Sequence, residues 1–386
     1  MSDSKAFPLP TDWRDAVLVG RMDMGEGPTP VVVKQGRVFD VSATQPTVAA
    51  LLEDWSGAPD GTELGRDLGD IDDLGLTTAW SGKKGKARLL APVDLQCVKA
   101  CGVTFAVSAM ERVIEERAQG VPGRAQAIRE ELAAKIGTDI RKVVPGSPQA
   151  LALKEALIAG KLWSQYLEVA IGPDAEVFTK APPMSSVGWG DYVGIRTQSS
   201  WNNPEPEVVV VVDRAGKAVG ATLGNDVNLR DYEGRSALLL GKAKDNNAAS
   251  ALGPFIRMFD AGFTIDDVRN AVVELEIIGA DNYRLEGKSS MAEISRDPLE
   301  LVKQTISEHQ YPDGFVLFCG TLFAPTQDRD QPGLGFTHKQ GDVVRVSTPK
   351  LGVLENRVTT CKAAPPWNFG IADLMKNLVK RGLLRA

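Results

Sequence analysis

Residues 201–213 read WNNPEPEVVVVVD, and the five valines at 208–212 are the most strand-like run in the chain. Valine is β-branched and favours strands, so the run predicts a strand that begins directly after two glutamates. From Phe178 onward the sequence alternates strands and turns, and 263–346 adds strands such as VVELEII and FVLFCG around one amphipathic helix, DPLELVKQTISEH. The larger part of the chain is therefore expected to be predominantly β.

The two glutamates before the valines, Glu205 and Glu207, are separated by one residue. On a strand, such residues point to the same face. Two neighbouring carboxylates repel each other and raise each other's pKa unless a cation sits between them. The pair fits either a metal site or a charged strand entrance that meets water, and the pair alone favours the second.

A third carboxylate, Asp226, follows in the segment GNDVNLRD. The intervening DRAGKAVG is typical of a turn, so a hairpin could return Asp226 to the side of Glu205 and Glu207. Three carboxylates would supply half of an octahedral shell, which suits catalytic magnesium. The alternative for Asp226 is a turn residue, for which Asn225-Asp226 is well suited.

The histidine content limits the kind of metal. The chain has two histidines, His309 and His338, and neither HExxH nor a Cys/His zinc spacing occurs. Any divalent metal would have to be held by oxygen, which points to magnesium, manganese or calcium.

Two further segments carry candidate site residues. In LLLGKAKDNN, Lys242 follows a glycine, and a nearby dication would lower the pKa of its ammonium group toward a useful range. The alternative is a surface lysine, a role for which Lys244 is a good candidate. In FCGTLFAP, Thr321 lies in a Gly-flanked turn after a buried strand, where backbone and hydroxyl groups could bind a carboxylate.

The N-terminal part differs from the rest of the chain in its sequence pattern. Residues 15–41 predict short strands broken by Gly and Pro, and 47–55 predict a short helix. A Gly- and Asp-rich stretch follows, which predicts a solvated loop rather than a cation site. We expect one domain at 1–90 and a second at 91–386.

The second domain is predicted to begin with helices. They cover 106–137, with a break at 120–123, and 151–170. Few helices alternate with the later strands, and neither GxGxxG nor a Walker A sequence is present, so a Rossmann sheet is not expected.

Composition indicates an ordinary globular protein. At 386 residues the chain is longer than one core usually serves, and its 43% hydrophobic and 24% charged residues argue against extensive disorder. The net charge of −6 gives no support for nucleic-acid binding. No apolar run suits a membrane span, and the polar N-terminus lacks a secretory pattern. A cytoplasmic protein with four reduced, buried cysteines is expected.

The order of these pieces resembles the fumarylacetoacetate hydrolase superfamily. The matching segments are KAPPMSSVGWGD, EPEVVVVV, GNDVNLRD, GK, LGPF, FCGT and QGDVVRV…LGVLEN, and the resemblance as a whole runs from about residue 95 to 362. The resemblance implies an α+β chain, with a mixed β-roll catalytic domain after a smaller N-terminal α/β domain. It also implies a homo-oligomer, either a dimer or a tetramer.

The resemblance assigns roles to individual residues. Lys242 matches the family lysine, and Thr321 matches the threonine of its turn. Arg230 matches the family arginine, which here either binds substrate or braces the Asp226 turn through an ion pair. The implied ligands of Mg²⁺, or alternatively Mn²⁺, are Glu205, Glu207 and Asp226.

One segment departs from the family pattern. Hydrolases and decarboxylases of the family usually carry NYxxHxxE, whose His and Glu activate a water molecule. The matching stretch here is TFAVSAME, in which Glu111 is retained and Ser108 stands in place of the His. Serine alone is not a general base near pH 7, so C–C bond hydrolysis is not expected unless folding brings His338 into the site.

Chain length and the GTLFAPTQDRD…GFTHKQGD segment are similar to the 2-keto-3-deoxy-pentonate (xylonate or arabonate) dehydratases. The resemblance implies dehydration of a small 2-oxo acid to 2,5-dioxopentanoate in pentose catabolism. Lys242 is then the C3 base, and Glu111 delivers a proton to the leaving hydroxyl. The implied substrate-binding residues are Thr321, Arg230 and Ser108. The alternatives are an acylpyruvate-type C–C hydrolase and a non-catalytic binding protein that retains the fold.

Overall fold

The computed structural model describes residues 8–53, 55, 64–82, 87–136, 143–323 and 325–384, the side chains of 106–108 and 131–136 excepted. The strands in these ranges are β1 Leu18–Asp23, β2 Pro28–Lys34, β3 Arg37–Asp40, β4 Arg66–Asp70, β5 Arg88–Leu90, β6 Cys97–Gly102, β7 Glu176–Ala181, β8 Tyr192–Ile195, β9 Asn202–Asn203, β10 Pro206–Val212, β11 Ala218–Asp226, β12 Asn228–Leu229, β13 Ser250–Met258, β14 Val272–Ile278, β15 Arg284–Ser290, β16 Phe315–Phe318, β17 Val343–Thr348 and β18 Gly352–Thr360.

The helices in the same ranges are mostly short. They are α1 Val48–Glu53, α2 Ala106–Ala118, α3 Ala125–Ile136, α4 Pro148–Ala159, α5 Gln165–Ile171, α6 Arg230–Glu233, α7 Leu240–Lys244, α8 Ile265–Arg269, α9 Pro298–Thr305 and α10 Ile371–Lys380. Among them, no helix has both the length and the apolar character needed to cross a bilayer.

Two mixed sheets organise the described residues. The larger has the order β4-β3-β2-β1-β13-β11-β10-β16-β6-β7, with β5 paired to β1, and the smaller has the order β15-β14-β17-β18-β8. Most pairs are antiparallel, but β16 runs parallel to β6, and β18 runs parallel to β8. The prediction of an α+β chain with a mixed β catalytic part is confirmed.

The valine run is the centre of the larger sheet. All five valines of β10 are fully buried, and β10 pairs with β11 on one side and β16 on the other. Val208, Val210 and Val212 belong to the core that includes residues of the smaller sheet, whereas Val209 and Val211 belong to the core beneath α1. An unbroken apolar run is required because both faces of the strand are covered.

The N-terminal strands extend the same sheet. Leu18 and Val19 of β1 pair with Arg257 and Ile256 of β13, so the first 90 residues and the remainder share one hydrogen-bonded sheet. The division into domains at 1–90 and 91–386 stays a prediction.

The prediction of a single helix over 151–170 is wrong in one respect, because this stretch forms two helices, α4 and α5. Chain direction changes after Gly160, where Lys161 has a positive φ of 56°. Ser164 then caps α5 by accepting a hydrogen bond from the backbone N–H of Tyr166. The predicted helices over 106–137 and their break are confirmed by α2 and α3 as far as Ile136, and residue 137 lies outside the described residues.

All four cysteines are free thiols. The prediction that they are buried is confirmed for Cys101 and Cys319 and is wrong for Cys97 and Cys361, which are half-buried.

Gly224 in β11 provides a test of the central packing. A Cβ at this position would overlap the ring of Phe318 and lie 2.7 Å from Cγ2 of Val209. We expect Gly224→Ala to lower the free energy of unfolding by about 1–3 kcal/mol, because the core cannot take the extra volume without moving. Urea denaturation measures the change.

The matched control is Gly241→Ala in α7, where no atom lies within 4 Å of the added Cβ. Its free energy of unfolding should stay within about 1 kcal/mol of the wild type. Equal unfolding free energies for both variants would contradict the packing argument.

Candidate functional site

One pocket collects charged side chains from many elements. It lies at the ends of β6, β10, β11 and β16, and helices α2, α6 and α7 contribute to its wall. The sheet register determines which strand ends meet there, so residues far apart in sequence face one another.

The three predicted metal ligands lie together in this pocket. Glu205, Glu207 and Asp226 are all buried, and one carboxylate oxygen from each lies within 4.8 Å of the others. The predicted hairpin produces this arrangement: Glu207 pairs with Gly224, and the backbone N–H of Asp226 donates to the carbonyl of Glu205 at 3.0 Å.

Two buried lysines contact the triad. The Nζ atom of Lys244 is 2.5 Å from Glu205 and 3.0 Å from Asp226, while Lys180 Nζ is 2.7 Å from Asp226. Burial favours the neutral amine of Lys244, but Asp226, Glu205 and Glu233 outweigh it and raise the pKa of this lysine. Burial also opposes the charge of Asp226, yet Lys180 and Lys244 hold its pKa below the usual value.

The prediction that Lys242 lies beside the metal site and Lys244 on the surface is wrong. Lys242 is exposed and does not line the pocket, whereas Lys244 is buried against two members of the triad. Both lysines belong to α7, where residues two positions apart point roughly 200° away from each other. Only one of them can face the triad, and it is Lys244.

Glu207 is positioned by the chain that follows β16. The backbone N–H of Gly320 donates to Glu207 Oε2 at 2.6 Å. Gly320 has a φ of +89°, and a Cβ there would overlap Thr104 Oγ1, so only glycine suits this contact. Burial raises the pKa of Glu207, and the charges of Asp226 and Glu205 raise it further.

Arg112 of α2 connects the triad to two other carboxylates. It bonds to Glu205 at 2.5 Å, to Glu115 at 2.8 Å and also to Glu233. Arg112, Glu115, Glu233 and Lys180 were not identified from sequence. The first three lie outside the recognised segments, whereas Lys180 is the first residue of KAPPMSSVGWGD, a segment to which the resemblance assigns no residue role.

Arg230 is held by α2 and not by the Asp226 turn. Its Nε is 2.6 Å from Glu115, an Nη atom is 3.4 Å from Glu111, and its guanidinium lies 4.6 Å from the ring centroid of Trp201. The suggested ion pair with the Asp226 turn is therefore replaced by ion pairs to a helix. Arg230 also lines the pocket, which leaves a substrate contact as its other predicted role.

The remaining predicted residues differ in their outcome. Glu111 lines the pocket, and Arg129 binds both of its carboxylate oxygens, at 3.0 and 2.8 Å. Thr321 also lines the pocket, and its hydroxyl accepts a hydrogen bond from the backbone N–H of Phe323 at 3.2 Å. The side chain of Ser108 lies outside the described residues.

Neither histidine contributes to the described pocket lining. His338 is buried elsewhere, with Nδ1 3.5 Å from Asp342 and its ring against Phe336. His309 is exposed and stacks on Tyr311. Folding therefore does not supply the imidazole that the sequence lacks at position 108.

Carboxylates outnumber cations around the pocket. Among the described residues, seven carboxylates line it, namely the triad together with Glu111, Glu115, Glu176 and Glu233. Five cationic side chains contact these carboxylates or lie beside them: Arg112, Arg230, Lys244, Lys180 and Arg129. If all of them are ionised, the carboxylates outnumber the cations, so the lining favours a bound cation. Carboxylate oxygen is the donor that Mg²⁺ and Mn²⁺ prefer, so the triad fits such an ion.

Part of the chain matches the model of a known protein family. Residues 165–359 match the family model described as fumarylacetoacetate (FAA) hydrolase C-terminal. The matched range contains the triad, Lys244 and Thr321.

Two curated relatives are similar in sequence. One is the 2-dehydro-3-deoxy-D-arabinonate dehydratase of Saccharolobus solfataricus, 32% identical over 52% of this chain and 63% of the relative. The other is the "Probable 2-keto-3-deoxyxylonate dehydratase" of Haloferax volcanii, 32% identical over 50% of this chain and 64% of the relative. The similarity thus spans slightly less than two thirds of each relative.

A solved structure shares the fold over most of the chain. It is a 2-keto-3-deoxy-D-arabinonate dehydratase complexed with magnesium and 2,5-dioxopentanoate, and it aligns with a TM-score of 0.61. The alignment covers 89% of this chain and 99% of that one at 21% sequence identity.

Proposed function

This chain belongs to the fumarylacetoacetate hydrolase family, and we propose that it is a divalent-metal-dependent hydro-lyase that dehydrates a 2-keto-3-deoxy-pentonate to 2,5-dioxopentanoate. The observation that carries the proposal is the buried triad Glu205, Glu207 and Asp226 with Lys244 in contact with two of its members. The substrate class is taken from the two dehydratases that resemble the chain in sequence. We place this dehydration in pentose catabolism.

Magnesium is the proposed ion, with manganese as the alternative, and the triad is its proposed ligand set. Bound there, a divalent cation would supply the positive charge that stabilises an enolate of a 2-oxo acid. It would also take up the negative charge that now raises the pKa of Lys244.

Lys244 is the proposed base for the C3 proton. Its amine lies beside the carboxylates that hold the ion, so it faces the part of the substrate nearest the cation. Arg230 and Thr321 are the proposed partners of the substrate carboxylate, because both line the same pocket. Ser108 is retained as a proposed substrate contact on sequence grounds alone.

The second candidate, C–C bond hydrolysis of an acylpyruvate, is less well supported. Hydrolysis requires a base that activates water, and the described pocket lining contains no histidine. A non-catalytic binding protein is also less well supported. Burying so many charges in a pocket is costly and suits a working site.

A homo-oligomer also remains a proposal. The helix α10 exposes Ile371, Met375 and Val379 at helical spacing, which makes an apolar stripe available for contact.

The proposed reaction is tested by incubating the purified chain and Mg²⁺ with both C4 epimers of 2-keto-3-deoxy-pentonate. We expect one epimer to yield 2,5-dioxopentanoate, detected by NMR, at a rate on the order of 10 s⁻¹. Acylpyruvates should remain uncleaved. Rapid acylpyruvate cleavage without dehydration would replace the proposal by the hydrolase alternative.

The metal site is tested by Glu207→Gln. Loss of one of three ligands should weaken Mg²⁺ or Mn²⁺ binding by more than about 100-fold, measured by isothermal titration calorimetry. Glu286→Gln, which changes an exposed glutamate, is the control and should bind the ion as the wild type does. Unchanged affinity in Glu207→Gln, with an unchanged circular dichroism spectrum, would exclude the triad as the site.

The base is tested by a pair of lysine variants. Lys244→Arg keeps the positive charge but does not release its proton, so turnover should fall by about 10²- to 10⁴-fold while metal affinity persists. Lys242→Arg should retain wild-type turnover, because this lysine is exposed. Exchange of the C3 hydrogens of pyruvate in D₂O should follow the same order, and equal exchange in all three proteins would rule out Lys244.

A further inference from the structure

A second cavity lies apart from the pocket that holds the triad. It has a volume of about 480 Å³, and none of its lining residues lines the triad pocket. Its walls come from β1, β5, the segment 184–188 and the segment 365–369 that precedes α10. A volume of this size is typical of sites for small organic molecules, so the cavity has room for a ligand of its own.

Arg21 of β1 lines this cavity and differs from the other buried arginines. Among the described residues four arginines are buried, and Arg230, Arg257 and Arg296 each form an ion pair. Arg21 is 5% exposed and forms no ion pair with a described carboxylate. Its Nε is buried without a hydrogen bond, and its Nη1 donates only to the sulfur of Met184, a weak acceptor, at 3.4 Å. The guanidinium group therefore has unused donors at the wall of the cavity.

The carboxylate that most favours the charge of Arg21 is already engaged elsewhere. Burial lowers the pKa of Arg21 and the charge of Asp94 opposes this shift, yet an arginine stays charged at neutral pH. The oxygens of Asp94 accept hydrogen bonds at 2.6, 3.1 and 2.8 Å from the backbone N–H groups of Val48, Ala49 and Leu95. A buried cation without an anion is costly, so Arg21 suits a bound anion that completes the pair.

The other charges of the lining indicate which anion would fit. Arg88 is paired with Asp191, so these two charges offset each other. Asp23 lies two positions after Arg21 on β1 and therefore on the same face of the strand. One oxygen of Asp23 accepts from the backbone N–H of Gly25, and among the described residues Asp23 has no ion pair. A phosphate dianion would be repelled by Asp23, whereas a molecule with one carboxylate and several hydroxyl groups would satisfy both residues.

Trp367 adds an aromatic wall at the mouth of the cavity. Its side chain is 47% exposed, and its Nε1 donates to the carbonyl of Phe369 at 3.1 Å, which restricts the position of the ring. An indole face packs well against the C–H groups of a sugar-like chain and leaves the hydroxyl groups free to form hydrogen bonds. The wall therefore favours a polyhydroxylated ligand over an inorganic ion.

We infer that this cavity is a binding site for a sugar acid. The carboxylate of the ligand pairs with Arg21, its hydroxyl groups donate to Asp23, and its C–H face packs against Trp367. The inference does not depend on the proposed dehydration, because the cavity and the triad pocket have no lining residue in common.

The probe is D-gluconate, titrated into the full chain with Mg²⁺ present and followed by isothermal titration calorimetry. We expect saturable binding that D-sorbitol, which lacks the carboxylate, and hexanoate, which lacks the hydroxyl groups, do not reproduce. Glu207→Gln, which disables the triad, should bind gluconate as the wild type does. This result would place the binding outside the triad pocket.

Arg21→Gln should weaken gluconate binding by about 10- to 100-fold, because hydrogen bonds to a charged group are lost. Its affinity for Mg²⁺ should remain at the wild-type value. Arg14→Gln is the matched control, since Arg14 is exposed and does not line the cavity, and it should bind gluconate normally.

Trp367→Ala provides a second variant that leaves the core intact, because the side chain is exposed. It should weaken gluconate binding by about 2- to 10-fold. This variant decides the matter if the circular dichroism spectrum shows that Arg21→Gln does not fold.

Several outcomes would overturn the inference. Gluconate might fail to bind the wild type, or sorbitol or hexanoate might bind as tightly as gluconate does. Folded Arg21→Gln and Trp367→Ala proteins that both bind gluconate like the wild type would exclude the cavity. Loss of binding in Glu207→Gln alone would assign gluconate to the triad pocket. Inorganic phosphate that binds more tightly than gluconate, and depends on Arg21, would replace the sugar acid by a phosphate ligand.

Discussion

The collection of seven carboxylates around one pocket, five of them buried, is the constraint on which the site depends. Each buried ion loses several kcal/mol of hydration, so every carboxylate needs a cation, a hydrogen bond or a proton. Arg112, Arg230, Lys180 and Lys244 satisfy most of them. Glu207 and Glu176 form no ion pair among the described residues, and burial together with neighbouring carboxylates raises the pKa of both.

This constraint can be met only if the strands that carry the carboxylates are rigid. β10 is covered on both faces and paired on both edges, so the position of Glu207 is determined by the central core of the molecule. The hairpin to β11 adds Asp226, and the turn after β16 adds the N–H of Gly320. The charged pocket is therefore built on a strand that is buried on both faces and hydrogen-bonded on both edges.

The local sequence pattern was sufficient to predict strand β10, the hairpin that joins it to β11, and the carboxylate triad. The valine run, the spacing of Glu205 and Glu207 and the turn before Asp226 each act over short distances, where periodicity is informative. The choice between Lys242 and Lys244 failed because it depends on the rotation of a five-residue helix, which spacing from a glycine does not determine. The sequence did contain a signal for Glu176 and Lys180. They are the two charged residues of the strand EVFTKA and are four positions apart, so they lie on the same face. Arg112, Glu115 and Glu233 depend on contacts between distant segments, which one sequence cannot reveal.

In the proposed function, the described lining of the pocket favours elimination over hydrolysis. A hydrolase must activate a water molecule, which needs a base such as histidine, and the described lining of this pocket has none. An eliminating enzyme must instead give a proton to a poor leaving group, which needs an acid that is neutral near pH 7. A carboxylate with both oxygens bonded to an arginine, as in Glu111, is poorly suited to that task. The proposed dehydration therefore requires that another group of the pocket, or a bound water molecule, gives the proton.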